Sequence, residues 1–134
     1  MANLPLEGIR VLDLTMYWAG PMVCRLLADM GAEVIKIESI QRIDGWRGGF
    51  LPGAAEKVYE TSPTHNGINP NKYGITLNLS DPKGAEIFKR LVKVSDVVVE
   101  NYSPRVMKQF GLDYEVLREL NPRLVMLSMP GFGG

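Results

Sequence analysis

Apolar residues along this chain fall into short runs and helical stripes that alternate from one end to the other. Ile9, Val11, Leu12 and Leu14 form a run of the kind a strand buried on both faces needs. Gly20 and Pro21 open a helix, with proline in the first turn where its missing N–H costs nothing. Met22, Val23, Leu26, Leu27 and Met30 then recur at helical spacing, and Gly31 follows as a helix-ending glycine. Val34, Ile35 and Ile37 make a second strand, so the opening reads as one βαβ unit. From Ser39 to about Asn71 the pattern gives way to glycine, proline and polar residues. A connector that long implies a functional or partner-covered loop containing short helical pieces. The alternation resumes at the strand Ile75–Leu79, and Asp81 and Pro82 cap and open a helix with Ile87, Phe88, Leu91 and Val92 on its apolar face. Asp96–Val99 reads as a buried strand, Ser103-Pro104 as the start of a short helix ending at Gly111, and Asp113–Leu120 as another helix. Arg123–Ser128 is the last strand. Elements in this order predict an α/β fold: a doubly wound, mainly parallel sheet with right-handed crossovers.

The 134 residues suit one domain, residues 1–134, with the long loop at about 39–71. Hydrophobic content of 46% and charged content of 22% are ordinary for a globular protein. Fifteen basic and fifteen acidic residues cancel, which leaves no global field for nucleic acid or an anionic membrane. The sequence carries no membrane-length apolar run and no signal peptide, and Cys24 is the only cysteine. A cytoplasmic enzyme fits these features.

In a doubly wound sheet, ligands bind beyond the carboxyl ends of the strands. The first such end carries Tyr17-Trp18, which fits either core packing or a ligand or partner surface. The strand-to-helix turn lacks the Gly-x-Gly-x-x-Gly that a dinucleotide pyrophosphate requires. Glu38 ends the second strand 18 residues after Gly20, a spacing that suits ribose hydroxyls, although a solvated carboxylate suits it as well. Asn101 and Tyr102 end another strand, where they also serve as ordinary turn residues. His65, the only histidine, reads as a surface loop residue; with no second histidine or cysteine cluster it gives no metal site. Cys24 reads as a small buried side chain.

The opening segment Leu6–Thr15, Ala19-Gly-Pro21 and Gly31–Glu38, together with Asn69–Leu79, Asp96–Tyr102 with Pro104, and Asn121–Val125 to Gly131-Phe-Gly133, resembles the N-terminal segment of the class III (CaiB/BaiF-type) CoA-transferases. This family includes formyl-CoA:oxalate and carnitine CoA-transferases and shares its Rossmann-like fold with α-methylacyl-CoA racemase. The resemblance implies a segment that binds coenzyme A as a substrate, with no tightly bound cofactor. Tyr17 and Trp18 would contact CoA or the acyl group, with Trp18 standing where the family often has glutamine. Glu38, Ser39, Leu77, Asn101 and Tyr102 would line the CoA site, and Lys72, Arg105 and Lys108 would supply phosphate-binding cations, aided by the free N–H groups of the helix at Pro104. Taken singly, each of those cations also fits a solvated surface charge. Family-typical arginines are missing at Ser39, Tyr73 and Gln109, and Arg42 or Arg47 could compensate from the loop. Family members transfer CoA between an acyl-CoA and a carboxylic acid through an aspartyl anhydride and thioester, and form interlocked dimers. The resemblance puts that aspartate beyond Gly133, so no catalytic residue is expected in this chain, and the chain reads as a fragment inactive alone. A racemase-like enzyme and a non-catalytic CoA-binding or structural remnant remain as alternatives.

Overall fold

A computed structural model of the chain describes residues 4–47 and 58–133. Five strands, β1 (Arg10–Asp13), β2 (Glu33–Glu38), β3 (Lys72–Thr76), β4 (Val97–Glu100) and β5 (Val125–Ser128), form one sheet in the order β3-β2-β1-β4-β5. Every neighbouring pair is parallel. Chain direction across the sheet reverses at β1, and β4 joins it from the other side. This is where open parallel sheets form a ligand crevice. Six α-helices accompany the strands among the described residues: α1 (Ala19–Asp29), α2 (Val58–Thr61), α3 (Pro63–Ile68), α4 (Pro82–Val92), α5 (Val106–Gln109) and α6 (Tyr114–Leu120).

Alternate residues of each strand face opposite sides, and the core divides accordingly. Leu12, Leu14, Ile37 and Val98 pack against Phe88 and Val92 of α4, Met107 of α5 and Leu117 of α6. On the other side Val11, Val34 and Val99 pack against Cys24 and Ala28 of α1. Each large side chain buried in this way contributes roughly 1.5–3 kcal/mol. The caps follow the sequence: the Asp81 carboxylate accepts from Lys83 N at 2.8 Å, and the Asp113 carboxylate from Val116 N at 3.2 Å. Gly31 ends α1 at φ +102°, a conformation that side-chain-bearing residues rarely adopt.

Two elements differ from the sequence expectation. The third strand begins at Lys72 and ends at Thr76, before Leu77. Backbone pairing with β2 recruits Lys72 and Tyr73, which carry no apolar alternation, and the chain turns off the sheet at Leu77-Asn78-Leu79. The helix expected from Pro104 is a single turn, Val106–Gln109, and the Val106 N–H donates to Ser103 O at 2.9 Å.

Both sheet edges leave apolar side chains uncovered. Tyr73 on β3 is 66% exposed, and Val125 on β5 is 60% exposed. Val125 and Leu127 pair in register with Val97 and Val99, so they extend the face that α1 covers only in part.

Candidate functional site

Beyond the carboxyl ends of β2, β3 and β4 lies a cavity of about 270 Å³. The end of β2 supplies Ile37, Glu38 and Ser39, and the loop after it Gln41, Arg42 and Asp44. The turn from β3 into α4 supplies Leu77–Ser80, and Tyr102, Val106, Gln109 and Phe110 close the far wall. Tyr102 and Phe110 meet edge to face with ring centroids 6.3 Å apart, which fixes that wall. A second hollow shares Leu79, Ser80, Gln109 and Phe110 and continues the crevice to Glu86 and Lys89 on α4.

The wall formed by β2 is set by charge pairing. Arg47 donates from Nε to Glu38 Oε1 at 2.8 Å and from Nη2 to Oε2 at 2.6 Å, while its Nη1 donates to Tyr59 O at 3.0 Å. Burial alone would raise the Glu38 pKa. Hydrogen bonds from Arg47, with the nearby His65 ring and the charges of Lys36 and Arg47, outweigh it and hold the carboxyl well below the usual range. The Asp44 carboxylate, itself buried, accepts from the N–H groups of Tyr17 and Trp46.

The turn after β1 is held from two sides. Asn101 accepts from Met16 N and donates to Met16 O, both at 2.8 Å, and Asp44 holds the next amide. Together they maintain Tyr17 at φ +66°, a strained conformation for a residue with a side chain. Tyr17 and Trp18 stand about half exposed beside the crevice, and Trp18 packs on Trp46 with ring centroids 5.2 Å apart.

The structure thus brings four of the ten sequence candidates, Glu38, Ser39, Leu77 and Tyr102, onto the cavity wall. Asn101 sits behind the wall, and its amide is occupied with Met16. Arg105 and Lys108 are exposed and do not line the cavity. Lys72 requires correction. Its side chain is 2% exposed, and its ammonium donates to Asp13 Oδ2 at 2.9 Å, Pro21 O at 2.8 Å and Asn69 Oδ1 at 2.7 Å. Three donors meet three acceptors, so none is free for a phosphate.

His65 also differs from the sequence reading. It is buried on α3 rather than exposed in a loop, and its Nε2 stands 3.7 Å from Glu38 Oε1. Glu38, Asp44 and His65 bring donor atoms within 4.8 Å of one another. The guanidinium of Arg47 already occupies both Glu38 oxygens and supplies the counter-charge a cation would bring. Cys24 is fully buried, as its helical position predicts, and burial pushes its thiol far above the ordinary range. A buried protonated thiol is no nucleophile. Sequence reasoning missed most of the other lining residues, among them Gln41, Asp44, Asn78, Ser80, Val106 and Phe110. Proximity in sequence to Glu38, Leu77 and Tyr102 was the one signal that could have found them.

The sequence profile of CoA-transferase family III matches residues 6–134. The chain belongs to that family. The family III chain is 41% identical over 132 residues to a succinate–glutarate CoA-transferase of Agrobacterium fabrum, covering 96% of this chain and 33% of that protein. It is 39% identical over 137 residues to the succinyl-CoA:glutarate CoA-transferase of Homo sapiens, covering 96% of this chain and 28% of the human protein. A formyl-CoA:oxalate CoA-transferase of Rhodopseudomonas palustris is 40% identical over 130 residues, with 96% and 29% covered. Among solved structures, the hypothetical protein Rv3272 of Mycobacterium tuberculosis superimposes with a TM-score of 0.85 at 32% identity, over 98% of this chain and 35% of that one. A CAIB/BAIF family protein from Brucella suis gives a TM-score of 0.79 at 36% identity, over 95% of this chain and 33% of its own. The family III chain therefore spans about a third of the length of these relatives.

Proposed function

We propose that this chain is the CoA-binding N-terminal segment of a CoA-transferase that moves CoA between an acyl-CoA and a carboxylic acid. The observation that supports this reading is the crevice beyond the carboxyl ends of β2, β3 and β4 in a member of CoA-transferase family III. A cavity of about 270 Å³ is near the lower limit for a small-molecule site and suits the nucleoside end of CoA. Leu77, Leu79 and Phe110 offer apolar contact to a base, while Ser39, Asn78, Ser80 and Gln109 offer hydrogen bonds to its edge and to the ribose. The adjoining hollow gives the rest of the ligand a path along α4.

The two carboxylates that line the cavity, Glu38 and Asp44, are both committed to other partners and are poor nucleophiles. Covalent carboxylate catalysis needs an oxygen free to attack the thioester carbonyl. Glu38 is held by Arg47, and Asp44 by two backbone amides. Asp13, behind the turn, is held by Lys72 and Thr15. On this reading the aspartate that forms the anhydride and thioester lies outside residues 1–134, and this chain alone catalyses no exchange. The uncovered faces of β3 and β5 fit a large domain completed by further polypeptide and assembled as a homo-oligomer. This reading places the enzyme in the cytoplasm. No helix of the described residues is long and apolar enough to cross a membrane.

Equilibrium binding of CoA to the purified chain tests the proposal. Micromolar affinity, weakened by Leu77→Asp in the cavity wall, supports it; absence of binding at millimolar CoA overturns it. An acyl-CoA exchange assay is the second test. Turnover by this chain, abolished by one Asp→Ala change, would place the nucleophile inside it after all.

A further inference from the structure

Arg42 is the one cation among the described residues that lines the 270 Å³ cavity. Arg47, the other arginine of this loop, spends its guanidinium on Glu38 and Tyr59 O. Arg42 is exposed, and its side chain makes no hydrogen bond or ion pair with the other described residues. Its backbone, in contrast, is fixed. Arg42 N donates to Ser39 O at 3.2 Å and the two residues form an isolated antiparallel bridge, closing a tight turn at the end of β2. Gln41 N donates to Ser39 Oγ within the same turn. A guanidinium on a rigid turn is a pre-organised anion receptor, because only its side chain must be ordered on binding.

We propose that Arg42 binds the 3′-phosphate of CoA and so makes this crevice selective for the phosphorylated nucleoside. The inference rests on the CoA reading of the crevice. A phosphomonoester is close to a dianion at neutral pH and presents three acceptor oxygens, which the planar fork of arginine can meet with two parallel hydrogen bonds. The 3′-phosphate is carried by the ribose itself, so seating the nucleoside in the cavity brings it to the rim. The remaining charges restrict where it can go. Asp44 lies buried in the same wall, so the phosphate belongs at the solvent-facing Arg42 end. Lys89 lies in the adjoining hollow together with Asp81 and Glu86, which offset its charge. Tyr102 provides a second sign that the Arg42 charge reaches the crevice: burial, with Glu100 and Asp13, pushes its hydroxyl up to about 12, and Arg42 opposes that rise.

The test compares CoA with 3′-dephospho-CoA on the purified chain and on Arg42→Gln. Hydrogen bonds between charged groups lead us to expect CoA affinity to fall roughly tenfold to a hundredfold in Arg42→Gln, with 3′-dephospho-CoA binding unchanged. Arg42→Lys should recover part of the loss, because it keeps the charge without the fork. An exposed side chain with no partner leaves folding intact when replaced, and circular dichroism checks this. Equal losses on both ligands would move Arg42 to the diphosphate and overturn the inference. No loss on either, with CoA still bound, would overturn it and leave the CoA reading standing. Failure of the parent chain to bind either compound would overturn the CoA reading, and this inference with it.

Discussion

The side-chain amide of Asn101 grips the backbone of Met16 at both ends, accepting from its N–H and donating to its C=O at 2.8 Å each. The two residues are 85 positions apart, so the end of β4 fixes the turn that leaves β1. This turn shapes one side of the crevice and holds Tyr17 in its left-handed conformation.

Asn101→Ala should therefore destabilise the chain by about 1–3 kcal/mol, because it leaves two part-buried backbone groups without partners. Release of the Tyr17 strain offsets some of this cost. Asn101→Asp keeps the acceptor but turns a carboxylate oxygen on the Met16 carbonyl, so it should cost at least as much as Ala. Urea unfolding measures the stability, and CoA titration measures the crevice. An Asn101→Ala chain of unchanged stability would show that the clamp carries no energy.

A second pairing lies deeper. Lys72 and Asp13 are both buried, at 2% and 0% side-chain exposure, and meet at 2.9 Å. Removing one partner of a buried pair strands the other charge, so Lys72→Met should cost about 3–5 kcal/mol in urea unfolding. The double variant Lys72→Met with Asp13→Asn should recover part of that loss. If Lys72→Met lowers CoA affinity while stability holds, the lysine faces ligand after all and the structural role assigned to it is wrong.

Local chemistry made much of the fold legible. Pro21 and Gly31 bracket α1, Asp81-Pro82 opens α4, and the apolar runs at Val11 and Val97 form the sheet centre. The site was harder to read, for a physical reason. Lys72 and Asp13 are 59 residues apart, and Asn101 and Met16 are 85 apart; nothing in either segment announces its partner. Lys72 looked like a surface cation because lysine usually is one, and only its position beneath α1 turns it into a buried ion. His65 misled in the same way, since polar neighbours on α3 suggest a loop although the helix packs that ring inward. Strand ends were the signal that led to the cavity: Glu38, Leu77 and Tyr102, each at or just past one, line its wall, while Tyr17, Trp18 and Asn101, at other strand ends, do not.

Acid should weaken the chain through Glu38. Its folded-state pKa lies below the unfolded value, so the carboxylate stabilises the fold fully above the ordinary glutamate pKa of about 4.3. That contribution is lost as pH falls from there toward the depressed folded value. The stability of the parent should therefore drop more steeply between about pH 5 and pH 3 than that of Glu38→Gln, which has no proton to take up. Urea midpoints across that range give the two slopes. Parallel slopes would mean that the pairing with Arg47 does not stabilise the native state over the unfolded chain.

Gly84 sets the distance between α4 and the crevice. A Cβ at this position would lie 1.9 Å from the carbonyl oxygen of Asn78 and 2.8 Å from its carbonyl carbon, so no side chain fits without moving backbone. Helix propensity alone would favour alanine here by about 1 kcal/mol. The clash reverses that preference, and Gly84→Ala should destabilise the chain by about 1–3 kcal/mol, as overpacking does. Asn78, Leu79 and Ser80 form one wall of the cavity, so the shift should also weaken CoA binding. The comparison is Gly67→Ala, where nothing lies within 4 Å of the added carbon and the crevice is untouched. If both alanine variants bind CoA as the parent does, either the turn at Asn78 yields without cost or the ligand does not contact it; the urea midpoint of Gly84→Ala separates the two, unchanged in the first case and lowered in the second.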